Sequence, residues 1–142
     1  MQQGGVSAVE FVITPAHSID AASIRRVIVI DDDPAMRDSL KLLLATRFEN
    51  VHDYESAEAF LEDGSPRGDA CLIVDVNLPG IDGIELVGRL AAAEGRVRAV
   101  LISGRYDEAM RRRANHVGVA DLLEKPVALD ELLAAIARTM DY

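Results

Sequence analysis

Hydrophobic residues follow two alternating patterns along this chain from about residue 26 onward. Short uninterrupted runs rich in β-branched residues are typical of strands covered on both faces, as at 27–30. Apolar residues three and four positions apart predict helices, as for Met36, Leu40 and Leu44. The patterns predict strands at 27–30, 50–54, 72–75, 97–102 and 120–124, and helices at 34–46, at 57–61, from 83, at 107–117 and at 130–140.

Polar and turn residues predict where these elements begin and end. Asp33 is an N-cap residue followed by Pro34 at the first helical position, Ser56 caps the second helix, and Gly118 stops the fourth. Helices of about ten residues between strands form crossover connections. The sequence therefore predicts an α/β fold, a parallel sheet with helices on both faces.

The first 25 residues follow neither pattern clearly. Residues 6–14 are apolar enough for a short strand or for docking on a surface, and Pro15 ends them. The chain's 142 residues suit one hydrophobic core. We expect an N-terminal extension at 1–25 without chemistry of its own and one domain at 26–142.

Composition narrows the classes of function. A formal net charge of −9 argues against nonspecific binding to nucleic acid or to anionic membranes. The one cysteine, Cys71, lies in an apolar run and is expected to be a buried thiol, which fits a reducing compartment. No apolar run approaches the roughly 20 residues of a membrane helix, and the N-terminus does not resemble a secretory signal. These features predict a cytoplasmic protein.

Polar residues stand where four of the predicted strands end: Asp31 and Asp32, Asp75, Ser103, and Lys125. The carboxyl ends of parallel strands form one rim, where ligands bind in open α/β sheets, so these side chains are expected to meet. Three carboxylates at one rim repel each other and need a cation, and oxygen ligands suit Mg²⁺ or Mn²⁺. The three histidines are scattered along the chain, so a zinc site is not expected.

Such a rim suits phosphoryl chemistry. A metal ion would shield charge while Asp75 attacks an anionic donor, and Ser103 and Lys125 could hold the phosphoryl oxygens. Lys125 is one of only two lysines among fifteen basic residues, and a compact ammonium that contacts phosphate would explain that choice. Each residue also has a purely structural interpretation: Asp75 turned toward water, Ser103 in a turn, and Lys125 as a solvated charge.

The order of these motifs resembles the receiver domains of two-component response regulators, over about residues 26–140. The resemblance rests on the acidic residues 31–33, the segment 75–83, the pair 103–104 and Glu124-Lys125-Pro126. Residues 56–61 are similar to the subgroup often joined to helix-turn-helix output domains. The resemblance implies a flavodoxin-like, doubly wound parallel sheet of five strands in the order 2-1-3-4-5.

The resemblance also implies roles for individual residues. Asp75 would accept a phosphoryl group from a phosphohistidine of a sensor histidine kinase or phosphotransfer protein, Ser103 would be the switch hydroxyl, and Lys125 would contact the phosphate. The implied Mg²⁺ ligands are the side chains of Asp31, Asp32 and Asp75 and the backbone carbonyl of Asn77. Phosphorylation would reshape the face of the fourth helix, fifth strand and fifth helix, which would then control a downstream protein or form a homodimer. The domain would not be an enzyme beyond its own phosphorylation and dephosphorylation.

The chain departs from the family pattern at several positions. Leu122 replaces the switch aromatic, Val127 follows Pro126 where an aromatic is common, and Gly118-Val119 stands where Gly-Ala is usual. The turn before the second strand is one residue short. The leucine leaves open a second hypothesis, a receiver-like adaptor that does not switch.

A third hypothesis is an Mg²⁺-dependent phosphatase of the haloacid dehalogenase type, because residues 31–33 contain its Asp-x-Asp motif after a strand. Pro34 and Ala35 depart from that motif, and a cap domain would hardly fit in this length. Separately, the arginine run 111–113 in the fourth helix is either a solvated face or a surface that binds a partner.

Overall fold

A computed structural model of the chain describes residues 26–63 and 70–140. Strands and helices alternate throughout these residues. The elements are β1 (Arg26–Ile30), α1 (Pro34–Ala45), β2 (Val51–Tyr54), α2 (Ala57–Asp63), β3 (Ala70–Asp75), α3 (Gly83–Glu94), β4 (Ala99–Ser103), α4 (Glu108–His116), β5 (Leu122–Glu124) and α5 (Leu129–Arg138). The expected extension at 1–25 and the turn expected at 64–66 lie outside the described residues.

The five strands form one parallel sheet in the order β2-β1-β3-β4-β5. Ile30 pairs with Val74, and Ser103 pairs with Glu124. The predicted parallel sheet and its flavodoxin-like strand order are confirmed. Because β1 and β3 are neighbours at the centre, the residues at their carboxyl ends lie side by side.

The core has two apolar clusters, one on each face of the sheet. One includes Ile28 and Leu72 with residues of α2, α3 and α4, and the other includes Val29 and Ile73 with residues of α1 and α5. The strand β3 is buried along its whole length, as expected for a central parallel strand. Cys71 is buried as predicted, and burial raises the pKa of its thiol to about 12.

Side chains form the predicted caps. The Asp33 side chain accepts from the Ala35 amide at 3.0 Å, and Ser56 Oγ accepts from the Ala59 amide at 3.0 Å. At the fourth helix, Gly118 has a φ of 90°, which favours glycine. The starts and stops of these helices thus follow from local polar residues.

Several boundaries differ from the prediction. β4 begins at Ala99 rather than at 97, because Val97 packs on the core without joining the ladder. β5 begins at Leu122 rather than at 120. In α5, the helical spacing predicts that Leu133 turns inward, but Leu133 is only half-buried, whereas Ala135 is fully buried. Among the described residues, no helix has the length and apolar character that crossing a membrane requires.

Candidate functional site

Three aspartates meet at the carboxyl ends of the two central strands. Asp31 and Asp32 follow β1, and Asp75 ends β3. One carboxylate oxygen from each lies within 4.8 Å of those from the other two. Asp31 is 0% and Asp75 4% exposed, whereas Asp32 is open to solvent. The alternative in which Asp75 merely turns toward water is therefore wrong.

Lys125 brings an ammonium to this cluster from the loop after β5. Its Nζ donates to Asp75 Oδ2 at 3.2 Å and lies 3.2 Å from Asp31 Oδ2. The backbone amide of Lys125 donates to the Ser103 carbonyl at 2.8 Å, and this bond fixes the position of the Lys125 backbone. The peptide bond between Lys125 and Pro126 is cis. Burial alone would lower the pKa of Lys125, but the charges of Asp75 and Asp31 outweigh burial and raise it. Lys125 is therefore held as a cation.

Asp31 is the most deeply buried carboxylate of the cluster. Burial raises its pKa above the ordinary value, and the charge of Asp75 adds to the increase, while the Asp33 amide and Lys125 oppose it. Asp31 Oδ1 accepts from the Asp33 amide at 2.9 Å. Asp31 Oδ2 is buried without a well-directed hydrogen bond, so its contact with Lys125 is an ion pair only.

These residues fit a divalent cation. The three carboxylates bring three negative charges when ionised, Lys125 brings one positive charge, and a divalent ion would balance the remainder. Asp31 Oδ2 is a buried carboxylate oxygen without a well-directed hydrogen bond, and it is suited to bind a cation. The donor set is oxygen alone, which suits Mg²⁺ or Mn²⁺.

Ser103 ends β4 with its side chain buried beside the same rim. Its Oγ accepts from the Arg105 amide at 3.2 Å and from Asn77 Nδ2 at 3.3 Å. The backbone amide of Asn77 in turn donates to Asp75 Oδ1 at 3.0 Å. Asn77 therefore links Asp75 to Ser103. Sequence reasoning had assigned a role only to its backbone carbonyl.

The described geometry brings together all the residues expected at the rim: Asp31, Asp32, Asp75, Asn77, Ser103 and Lys125. A sequence model of the response regulator receiver domain matches residues 27–137. The chain belongs to this family. The receiver domain is a signalling module of two-component systems.

Known proteins similar to this receiver domain include transcriptional regulators. The transcriptional regulatory protein FixJ of Azorhizobium caulinodans is 38% identical over 112 residues, which are 79% of this chain and 53% of that protein. The response regulator protein TodT of Pseudomonas putida is 32% identical over 120 residues, which are 84% of this chain and 52% of that protein. The chain thus spans about half the length of the curated relatives it matches.

Solved structures show the same fold. The response regulator StyR superposes with a TM-score of 0.72 at 36% identity, over 80% of this chain and 58% of that one. The BeF3-activated receiver domain of DrrB superposes with a TM-score of 0.74 at 22% identity, over 84% of this chain and 99% of that one. The second likeness supports the fold alone.

The loop between β3 and α3 holds Asp75 and Asn77 in place through contacts that sequence reasoning missed. At Gly83 a Cβ atom would lie 2.3 Å from the Asp75 carbonyl oxygen, so only glycine fits there. The Ile81 amide donates to Glu58 Oε2 at 3.0 Å, and this hydrogen bond lowers the pKa of Glu58. The loop between β3 and α3 is thereby tied to α2.

A second set of contacts ties the loop between β3 and α3 to α3 and α4. Asp82 accepts from the Glu85 amide at 2.8 Å and so caps α3, and it accepts from Arg113 Nη2 of α4 at 2.8 Å. Burial alone would raise the pKa of Asp82, but these hydrogen bonds and the charge of Arg113 lower it. An acidic residue followed three positions later by Glu predicts the cap, but nothing local predicts the arginine.

The departures noted in the sequence have structural counterparts. Leu122 is 9% exposed and packs in the core cluster with Ile28 and Leu101, so this receiver domain has no aromatic ring at that position to rotate. Val127 is partly buried against the opposite cluster. Both positions are filled by aliphatic packing.

Proposed function

We propose that this receiver domain accepts a phosphoryl group on Asp75 from a phosphohistidine of a sensor histidine kinase or phosphotransfer protein. A carboxylate oxygen of Asp75 forms the new bond to phosphorus, the bond between phosphorus and the imidazole nitrogen breaks, and the leaving imidazole takes up a proton. Water later hydrolyses the acyl phosphate. The domain acts only on its own carboxylate, as a cytoplasmic signalling protein rather than as an enzyme with a separate substrate.

The observation that carries this proposal is the imbalance of charge around Asp75. Three carboxylates within 4.8 Å of one another share a single ammonium. Mg²⁺, or Mn²⁺ in its place, would neutralise the remaining charge and let an anionic donor approach. Its ligands would be the side chains of Asp31, Asp32 and Asp75 and the backbone carbonyl of Asn77.

Ser103 and Lys125 would hold the oxygens of the transferred group. Lys125 already contacts Asp75 at 3.2 Å, so it needs only a small movement to meet a phosphoryl oxygen on that carboxylate. Ser103 Oγ accepts hydrogen bonds from Asn77 and from the Arg105 amide, and its own proton is free to be donated to the phosphoryl group. A hydroxyl that bonds only the phosphorylated state shifts the population toward that state.

The output of this shift would be the face formed by α4, β5 and α5. Ser103 lies directly before the loop that leads into α4, so a change at its side chain reaches this face through the backbone. We infer that the face controls a downstream protein, carried on the same chain or on another, or mediates a homodimer.

The test is the intact mass of the protein after incubation with a small phosphodonor, with and without Mg²⁺. We expect an Mg²⁺-dependent gain of one phosphoryl group that is lost in Asp75→Asn. Asp38→Asn is the matched control, because Asp38 is exposed on α1 and its side chain has no hydrogen bond or ion pair among the described residues. An adduct that persists in Asp75→Asn would contradict the assignment of the acceptor.

Leu122 favours a second candidate function, an adaptor that keeps the fold without switching. The leucine fills the core position with aliphatic contacts and has no aromatic ring to turn. Equal partner affinity with and without the phosphoryl group would support the adaptor. The phosphatase hypothesis gains no support from the site, because Asp33 is occupied as the N-cap of α1 and the clustered carboxylates include Asp75 instead.

A further inference from the structure

An open groove of about 710 Å³ runs between α3 and α4. Its apolar lining comes mainly from small or aliphatic side chains of the two helices, which include Ile84, Gly88, Ala92 and Val117. Gly88 is half-buried and Ala92 is exposed, so backbone and methyl surface there are open to contact. We call this feature the α3–α4 groove. It lies on the α3 side of α4 and therefore apart from the face that α4 shares with β5 and α5.

Basic side chains border the α3–α4 groove. Arg112 and Arg113 of the arginine run lie along it, as does His116 one turn further along α4, and Arg89 borders it from α3. Arg111 is absent from this border and is partly buried. The arginine run is thus more than a solvated stripe, because two of its three members border one concave surface.

The basic residues differ in their partners. Arg113 pairs with Asp82 at 2.8 Å and Arg89 with Glu85 at 2.9 Å, so these charges are already compensated. Arg112 and His116 are exposed and have no side-chain partner among the described residues. They stand at positions i and i+4 of α4 and so lie on one side of the helix. In a chain with a formal net charge of −9, this is a local concentration of basic groups without acidic partners.

We propose that the α3–α4 groove docks an acidic, partly apolar segment of a partner protein. Carboxylates of the segment pair with Arg112 and His116, and a small apolar side chain packs on Gly88 and Ala92. Charge complementarity selects the acidic segment, because the groove offers open basic groups while the acidic residues beside it are already paired. The overall negative charge of the chain disfavours nucleic acid as the occupant.

The test uses the full chain without a phosphodonor, so its outcome is independent of the chemistry at Asp75. The probe is a labelled amphipathic peptide of about 20 residues built from Glu, Leu and Ala, long enough to span the groove as a helix. The control peptide carries Gln in place of every Glu. Binding is measured by fluorescence anisotropy at low and high salt, and the site is mapped by shifts of backbone amide signals in NMR spectra.

We expect the acidic peptide to bind, with affinity that falls as salt is raised and with amide shifts centred on Gly88, Ala92 and Val117. Arg112→Glu should weaken binding about tenfold, and the further change His116→Glu should weaken it more. Arg47→Glu is the matched control and should bind as the parent does. Arg47 follows α1 and does not line the α3–α4 groove. It is an exposed arginine with no side-chain partner among the described residues.

Three results would overturn the proposal: no binding of the acidic peptide, equal binding of the Gln peptide, or equal loss of affinity in Arg112→Glu and Arg47→Glu. Self-association in sedimentation experiments that disappears in Arg112→Glu would assign the groove to a second copy of this chain instead. Arg112→Gln, which removes the charge without reversing it, should give an intermediate affinity and guards against misfolding of the reversed variant.

Discussion

Lys125 and Asp53 stand at the centres of two charge clusters with opposite compositions. Lys125 lies 3.2 Å from two carboxylates in a cluster that contains a third. Asp53 on β2 lies between two cations of α1 and accepts from Arg37 Nε at 3.1 Å and from Lys41 Nζ at 3.2 Å. The first cluster has surplus negative charge and the second has surplus positive charge.

The two clusters differ in the free energy that their surplus charge costs. Lys41 is 40% exposed, so water solvates the extra cation beside Asp53 and the cluster is complete as it stands. Asp31 has no exposure, so water cannot solvate its charge in the same way. A buried surplus creates an affinity for a cation, whereas an exposed surplus leaves only a structural ion pair. Four substitutions test this distinction.

Asp31→Asn should have the largest effect. It removes an anionic ligand from the proposed metal site, and phosphorylation by a small donor in the presence of Mg²⁺ should slow about 100-fold. The rate of appearance of the phosphoryl adduct in intact mass spectra measures this. Asp53→Asn is the matched control in the other cluster and should change the rate less than about twofold. Equal slowing in both variants would show that the two clusters do not differ in their affinity for a cation.

Lys125→Met should lower the free energy of unfolding by about 2 kcal/mol in the absence of divalent cations, because Asp31 and Asp75 lose the ammonium that lies 3.2 Å from both. Urea denaturation measures the change, and added Mg²⁺ should restore part of it. The chain's other lysine supplies the control. Lys41→Met should cost less than about 0.5 kcal/mol, since Arg37 still pairs with Asp53. A similar cost for both lysines would show that surplus charge at the rim does not matter.

Arg37→Gln should have a smaller effect on stability, about 1 kcal/mol, measured by urea denaturation. Arg37 joins the two clusters, because its Nη1 donates to the Asp31 carbonyl at 2.8 Å while its Nε contacts Asp53. Arg47→Gln is the control, at an exposed arginine just after α1, and its stability should stay within about 0.5 kcal/mol of the parent. If the two variants are equally stable, the link between β1 and β2 through Arg37 contributes nothing measurable.

Asp82→Asn tests the balanced case of one anion and one cation, and we expect the smallest effect, up to about 1 kcal/mol at neutral pH. Asparagine keeps the cap of α3, so the change isolates the charge paired with Arg113. The pKa of Asp82 is lowered in the folded state, so this stabilisation is present above the ordinary value of 3.8 and is lost as the pH falls below it.

The measurement for Asp82→Asn is the difference in urea stability between variant and parent at several pH values. The difference should be constant above about pH 5 and should shrink as the pH falls through the ordinary value of 3.8 toward the lowered pKa of the folded state. A difference that stays constant over this range would assign the effect to the cap rather than to the charge.

Much of the fold could be predicted because its signals are local. The run 27–30 and the caps at Asp33 and Ser56 each report on a few adjacent residues, and the predicted elements appear in the described structure. The misplaced start of β4 has a physical cause. An apolar residue such as Val97 signals burial, and burial alone does not show whether its backbone joins a ladder.

The sequence also predicted which residues meet at the candidate site. Because the carboxyl ends of parallel strands form one rim, the sequence indicated that Asp31, Asp75, Ser103 and Lys125 would meet, and the geometry brings them together. Their roles in phosphoryl transfer stay predictions. The side-chain bond from Asn77 to Ser103 was missed, because a residue's local pattern does not reveal which neighbouring strand its side chain will reach.

The amino-acid sequence alone predicts the alternation of strands and helices, the ends of most elements and the residue types at the rim. These depend on periodicity and on residues within one helical turn of each other. Three features follow from the tertiary structure instead. Arg113 contacts Asp82, which lies 31 positions away in the chain, and Arg37 lies between the two clusters. The third feature is the groove between α3 and α4. Such contacts depend on how helices rotate and pack against the twisted sheet, and that packing is settled by the whole core at once.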